Sequence, residues 1–432
     1  MLFFVTGLLL GLFSQVRAQN LTSAYISTIS ERLAQGAVHS WEYGTRAEAL
    51  LELNAPTYSV VSFNAVPPPH SIPSNISSAL GEVFTIAHDV VVARSLSNIT
   101  GPQPLIADTS AGDPASIGVA VLLANWTGQG ALDGLDYAGA ARDQLNYLFQ
   151  NVSKTSDGAL SHRVGQLQLW SDSVYMVPPF LAYYGVLTQN KTILTEAYTQ
   201  IRLYRKYLQD AAAGNLWKHI QLGQAGNDDG HWSTGNAWAA AGMIRVLGTI
   251  QRSPYANSLK SQQNDLARWA DEIHGAMYSH INSNGLFYNY ADNNTTFYDA
   301  SSTALLASTV YRLSLLGNIH TYIPLAEQAR NALLLLLAPF TTSTALSATM
   351  SGLLHFTPEG WLTPVVNPYS YDEQGSDSPE GQAFILELQA AWRDWIADGA
   401  QGANSAREAR PHVLMIEAIV VLQVMTVVGY NG

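Results

Sequence analysis

Three observations in the sequence predict an all-α fold. Apolar residues recur at three- and four-residue spacing, as at Val174, Phe180, Leu181 and Tyr184 and again at Ala239, Met243, Val246 and Leu247, which is the spacing that lines one face of a helix. Stretches rich in Gly, Pro, Asn and Ser separate twelve or thirteen such segments. The segments pair off with a period of roughly 55–65 residues, too long for the common short solenoid repeats, and no Pro-rich or low-complexity linker divides the chain. These features imply a single domain over residues 19–432 built from about six helical hairpins. Six hairpins can close into a double-layered ring, the (α/α)6 barrel, in which inner helices place residues from their ends and loops around a central cleft.

The first eighteen residues precede that domain. Leu2 to Phe13 form an apolar run, followed by Val16-Arg17-Ala18 as a small-residue cleavage pattern. The run is shorter than the ~20 residues of a spanning helix and reads as a secretory signal peptide. Helices are then expected at 22–36 and 39–53 (one helix or a pair), 77–97 and 114–126. Asp113 before Pro114 suits an N-cap with Pro at the first helical position of the last of these. Further helices are expected at 134–151, 171–187, 190–212, 235–252, 257–280, 298–316, 321–339 and 379–397. A final one is expected at 406–429, where Val413 to Tyr430 is strongly apolar. Glu417 and Gln423 interrupt that run and favour a buried helix over a removed lipid-anchor signal. Loops 54–76, 213–234, 281–297 and 340–378 are long enough to be functional. In the third of them the turn signal Asn282-Ser283-Asn284-Gly285 introduces a short strand over 285–290.

Composition limits the partners. The net charge is −12 and no run of five like charges occurs, which argues against nucleic acid, because phosphate binding needs clustered Lys and Arg. The absence of cysteine excludes a disulfide framework, a cysteine nucleophile and thiolate metal sites. Charged residues make up only 12% of the chain, about half the usual ~25%. Asn-X-Ser/Thr sequons at Asn20, Asn75, Asn98, Asn125, Asn151, Asn190, Asn293 and Asn294 offer another source of solubility. Behind a signal peptide they predict a secreted, extracellular glycoprotein. Asn293 and Asn294 are adjacent, so one of the two is expected to carry sugar.

The chemistry concentrates between Leu160 and Trp238. His162-Arg163, Trp170-Ser171-Asp172, Met176, Trp217-Lys218-His219 and His231-Trp232-Ser233-Thr234-Gly235-Asn236-Ala237-Trp238 follow one another there. Aromatic residues interleaved with His, Asp and Asn are what a sugar site requires: ring faces stack on a pyranose and planar polar groups bond its hydroxyls. A carboxyl set among tryptophans loses hydration and can serve as a general acid. Asp172 is the candidate, although it could equally be a helix N-cap or first-turn acid. Trp170 and Trp238 could be core residues, and Asn236 a cap. Asp228-Asp229-Gly230 reads as a turn rather than a metal site, and no metal or other cofactor is expected. If hydrolysis uses two carboxylates, Asp113, Asp299, Glu373, Asp377 and Glu380 are the possible partners of Asp172; pairs ~5–5.5 Å apart retain configuration and pairs ~6.5–9.5 Å apart invert it.

Trp170-x-Asp172-x-x-x-Met176-x-x-Pro179-Phe180-Leu181 resembles the signature of the unsaturated rhamnogalacturonyl hydrolases, glycoside hydrolase family 105, which are related to the unsaturated glucuronyl hydrolases of family 88. Trp232-x-x-Gly235-Asn236-x-Trp238 is similar to their W-x-R-G-N-x-W block. Weaker likenesses are Gly158 to His162, Trp217-x-His219, Asp299 to Ala304 and Asp377 to Phe384, so the resemblance covers roughly residues 110–400. It implies an (α/α)6 barrel and cofactor-free chemistry on an oligosaccharide. In that chemistry an aspartic acid matching Asp172 protonates the C4=C5 bond of an unsaturated uronic acid and then assists water at C5. On this likeness His162, Arg163, Trp170, Met176, Trp217, His219, His231, Trp232, Thr234, Asn236 and Trp238 are the candidate substrate-binding residues, and Asp113, if it does more than cap, is the candidate second catalytic carboxylate. The sequence departs from the block at Thr234, where the family has arginine. Arg163 or Lys218 would have to supply the missing cation, or else the substrate is a neutral or saturated glycoside. A non-catalytic glycan-binding role on the same scaffold is the reading of a different class.

Overall fold

The computed structural model describes residues 20–97, 101–335, 350 and 352–403. The expected signal peptide, Asn98 and the expected helix at 406–429 lie outside these residues. The helices are α1 (Ser23–Gly36), α2 (Ser40–Asn54), α3 (Ser74–Ser95), α4 (Gly118–Trp126), the single turn α5 (Gly130–Asp133), α6 (Tyr137–Gln150), α7 (Ser173–Leu187), α8 (Lys191–Leu208), α9 (Ser233–Arg252), α10 (Lys260–Tyr278), α11 (Ala300–Gly317), α12 (Ile323–Leu333) and α13 (Pro379–Ala397).

The helices form two layers. The inner ones meet in a closed ring. α2 packs on the 3-10 turn Asp113–Ile117 that leads into α4, and this turn packs on α7. Contacts then run from α7 to α9, α9 to α11, α11 to α13, and from α13 back to α2. Each outer helix lies against its inner partner: α1 on α13, α3 on α2, α6 on α4, α8 on α7, α10 on α9 and α12 on α11. This is the (α/α)6 barrel expected from the hairpin period. The apolar patterns assign the layers. α8 buries one stripe, Leu194, Ala197, Ile201, Tyr204 and Leu208, at three- and four-residue spacing. α7, α9 and α11 are buried on nearly every side and therefore fill the ring.

Inner helices approach one another closely. Pro178 lies inside α7 and lacks the N–H that would bond the Val174 carbonyl. Gly242 of α9 faces that same carbonyl, and a Cβ at this position would collide with it. Deeper in the ring, Arg245 of α9 bonds Glu48 (2.6 Å) and Glu52 (2.7 Å) of α2 and Glu387 of α13 (2.9 Å). Arg312 of α11 bonds Glu52 (2.8 Å) and Asp394 of α13 (2.6 Å). Four inner helices are thus tied through two buried guanidinium groups.

Short antiparallel strand pairs lie near the ends where the inner helices begin. β1 (Leu169–Trp170), β2 (Gln209–Asp210), β3 (Leu216–Trp217) and β4 (Ile220–Gln221) pair as β1 with β4 and β2 with β3. β5 (Phe287–Tyr288), inside the strand expected at 285–290, pairs with β6 (Tyr298–Asp299). β7 (Val365–Asn367) pairs with β8 (Ser370–Gly375). The helix expected over 190–212 stops at Leu208, because the chain turns back through Gly214 and Asn215, both at positive φ, to pair β3 with β2. The expected segments 22–36 and 39–53 are two helices, parted where the Glu42 carboxylate accepts the backbone N–H groups of Val38 and His39.

Candidate active site

The ring places the starts of five inner helices around one cavity of about 340 Å³. Trp41 comes from the first turn of α2, Asp113 from the turn before α4, and Asp172 from the start of α7, with Met176 one turn further on. Trp232 precedes α9, which also supplies Trp238, and Glu380 is the second residue of α13. Loops complete the wall with Asp108, Thr109, His162, Arg163, Trp170 and His219, and the β7–β8 hairpin adds Pro368, Tyr369 and Tyr371.

The indole N–H groups of Trp170 and Trp232 are satisfied by residues outside the cavity lining, while that of Trp41 is taken by Glu380. Trp170 donates to Gln168 Oε1 (2.8 Å) and Trp232 to Asn289 Oδ1 (3.0 Å). Trp170 stacks on His162 (4.9 Å, 25°) and meets His219 edge-on (5.4 Å, 76°). Tyr371 sets its edge against His219 at 4.6 Å, and Trp232 tilts over the same imidazole at 4.4 Å.

Three buried polar atoms on this wall have no partner among the described residues: Asp172 Oδ1, His162 Nδ1 and His219 Nε2. Buried polar atoms are ordinarily paired, so the unpaired atoms of Asp172 and His219 mark places for a ligand's polar groups, whereas His162 Nδ1 faces Gly112 and Ser173. Asp172 sits at the N-cap position of α7 but makes no capping bond, so its carboxyl is not used to hold the start of the helix. The opposite nitrogen of His219, Nδ1, lies 2.9 Å from Asp228 Oδ2, an oxygen that also accepts from Tyr290 Oη (2.6 Å). The ring is thereby fixed with Nε2 toward the cavity. Asp228 Oδ1 accepts from the Gly230 N–H, as the turn reading of Asp228-Asp229-Gly230 expects.

The cavity's electrostatics are dominated by burial. Asp113 is pushed well above the usual carboxylate range by desolvation and then by Asp172 and Asp108. Glu380 is raised to about 8, again by desolvation first, with Glu42 adding. Burial lowers His162 to about 4, so its imidazole is neutral at ordinary pH. Asp113 makes no capping bond for the turn it opens. Its carboxyl lies 3.6 Å from His162 Nε2, a correction to the capping role expected for the Asp113-Pro114 pair. Among the described residues the one Lys or Arg on this wall is Arg163, whose guanidinium lies 5.4 Å over the Trp170 ring and donates to Thr109 Oγ1 (3.0 Å).

Four side chains expected near substrate lie elsewhere. Asn236 is fully buried; its Oδ1 accepts from Trp217 N–H, and its Nδ2 donates to the Trp217 and Trp232 carbonyls, fixing α9 to β3. Trp217 packs into the core. Thr234 is buried and donates to Asp299 Oδ2 (2.8 Å). His231 is held by Asp292 (2.7 Å) away from the cavity wall. Lys218 likewise points to Asp229 (3.3 Å). Among the alternative carboxylates, Asp299 is used as the N-cap of α11, accepting from Ser301 and Ser302 N–H, and Glu373 is exposed on β8. Glu380 is the one that joins Asp113 and Asp172 in the cavity. The sequence reading missed Trp41, Asp108, Thr109, Pro368, Tyr369 and Tyr371. The only signal for the last three was the length of the loop at 340–378.

Comparison with known proteins gives one family match, Glycosyl Hydrolase Family 88, over residues 113–338. Solved structures share the fold. One is a possible member of the GH105 family from Salmonella enterica serovar Paratyphi A, at 16% identity and TM-score 0.64 over 86% of this chain and 93% of that one. Another is a glycosyl hydrolase family 88 protein from Bacteroides vulgatus, at 15% identity and TM-score 0.59 over 87% and 100%. A third is the unsaturated glucuronyl hydrolase of Bacillus sp. GL1, at 13% identity and TM-score 0.51 over 85% and 94%.

Proposed function

Because the chain belongs to Glycosyl Hydrolase Family 88 and is a glycoside hydrolase acting on carbohydrate, we propose that it releases a terminal 4,5-unsaturated uronic acid from an oligosaccharide, with Asp172 as acid and then base. The observation that carries this reading is the unpartnered Asp172 Oδ1 on the wall of an aromatic cavity. The Bacillus and Bacteroides proteins support the class by their names.

Each residue has a task in this scheme. Trp170 and Trp232 offer faces to the sugar ring. The Asp172 carboxyl gives its proton to C4 as the C4=C5 electron pair takes it up, and positive charge develops at C5. Water adds at C5 and returns a proton to the Asp172 carboxylate, so one group acts twice. The hemiketal opens to a C5 ketone, and the C1 hemiacetal left behind collapses to an aldehyde as the C1–O bond breaks, its hydroxyl proton passing to the departing glycan oxygen. Burial, with Asp172 and Asp108 nearby, pushes the Asp113 carboxyl toward its protonated form, which suits it to donate a hydrogen bond to a sugar hydroxyl. Arg163 takes the uronate carboxylate in place of the arginine replaced by Thr234. The helix N-termini gathered at this cavity add to its preference for an anionic group.

The test follows the ultraviolet absorbance of the unsaturated uronide while purified protein acts on lyase-generated oligosaccharides. Wild type is expected to remove the absorbance. Asp172→Asn is expected to lose a factor of about 10²–10⁴ or more while its thermal midpoint stays close to wild type, because Asp172 Oδ1 makes no bond in the fold. Sugar release with the absorbance retained would replace hydration by two-carboxylate hydrolysis, with Glu380 or Asp113 as the partner.

We further propose that the protein is secreted and glycosylated. Asn20, Asn75, Asn125, Asn151, Asn190, Asn293 and Asn294 are all exposed. At Asn190 the side-chain oxygen accepts the first N–H groups of α8, a role that leaves the amide nitrogen for sugar. Protein from the native host is expected to migrate faster on a gel after enzymatic removal of N-glycans; unchanged migration would refute the glycosylation.

A further inference from the structure

A second cavity, of about 560 Å³, adjoins the first, and Pro368 and Tyr369 line both. The partition between them is aromatic. Trp41 faces the first cavity and stacks on His39 of the second (4.9 Å, 12°). Tyr369, at the tip of the β7–β8 hairpin, sets its edge against both rings (5.1 Å and 6.0 Å). Its side chain is nonetheless among the most open large apolar groups of the described residues, at 62% exposure. Beyond it the wall is polar, with Gln374, Ser376 and Asp377 exposed. Among the described residues no Lys or Arg lines this cavity, while Glu42 and Asp377 contribute carboxylates. The exposed Tyr369 ring beside amide and hydroxyl groups suits a sugar ring, and the sign of the charge disfavours a uronate.

We propose that this second cavity is a binding site for a neutral sugar residue of the glycan that extends past Tyr369 from the cleaved unit. The proposal rests on the reading of the first cavity as the place where the bond is cut. Binding energy gathered at such a remote unit is available to the reaction, so the enzyme prefers glycans long enough to reach it.

The experiment compares kcat/KM for three substrates with the same unsaturated terminus: a disaccharide, its extension by neutral sugars, and its extension by uronates. Wild type is expected to favour the neutral extension over the disaccharide by about tenfold, the worth of one or two added hydrogen bonds and a stacked ring. The uronate extension is expected to give no gain. In Gln374→Ala and in Tyr369→Ala the ratio of neutral extension to disaccharide falls toward one. Equal kcat/KM for disaccharide and neutral extension in wild type overturns the proposal while leaving the disaccharide reaction intact. If no substrate turns over, the proposed reaction fails instead. The second cavity is then read by saturation-transfer NMR with a neutral trisaccharide: transfer in wild type that Gln374→Ala and Tyr369→Ala both weaken supports the site, and its absence in wild type, or transfer undiminished in both variants, overturns it.

Discussion

Glu380 shows how a single side chain couples site and stability. It is buried in the ring, accepts a hydrogen bond from the Trp41 indole and has its pKa raised from 4.5 to about 8, chiefly by desolvation. The folded state therefore holds a proton that the unfolded chain releases near pH 4.5. Its contribution to stability is complete below that value and is lost as pH rises through about 8. Glu380→Gln should flatten the fall of the thermal midpoint across this window; an undiminished slope would assign the effect to other groups. Residue by residue, legibility followed distance along the chain. Trp170-Ser171-Asp172 was readable because the rings and the carboxyl are neighbours in sequence. Trp41 was not, because its partner Glu380 lies 339 positions away. Asn236 and Thr234 were misplaced for a different reason: a polar residue in a site-like motif can bond backbone or cap as well as substrate, and only the packing decides.

At the scale of elements, apolar periodicity located the helices but was silent on what joins the inner ones. Helices α7, α9 and α11 are buried on nearly all sides, so their few charges must meet partners inside. Arg245 does so with three carboxylates from α2 and α13. Those carboxylates lie on segments far apart in sequence, which is why the bonds could not be read in advance. Removing one member of such a group leaves buried charge uncompensated. Arg245→Leu should lower unfolding free energy by about 3–5 kcal/mol, read as a drop in denaturant midpoint, whereas a loss below ~1 kcal/mol would show that the carboxylates take up protons and adapt. The strand pairs were partly legible. The turn before β5 announced itself through Asn and Gly, while β2 was hidden at the end of an apparent helix.

At the scale of the whole molecule, hairpin period and helix count were enough to anticipate the ring, because six similar units that each need a covered face have few ways to close. What they could not show is that the cavity draws on both ends of that ring: Trp41 from α2, Glu380 from α13, and between them the segments that hold Asp113, Asp172 and Trp232. The contact of α13 with α2 has a temporal consequence. A ribosome delivers α2 long before α13, so during synthesis the first inner helix waits with an apolar flank uncovered, and every earlier hairpin is added to an open arc. Contacts between such distant segments form slowly, and exposed apolar surface in the interval invites aggregation. A nascent chain halted between α9 and α13 would carry Asp172, Trp170, Trp232 and Trp238 yet lack Glu380 and the contact of α13 with α2, so the cavity is enclosed only when the last inner helix arrives.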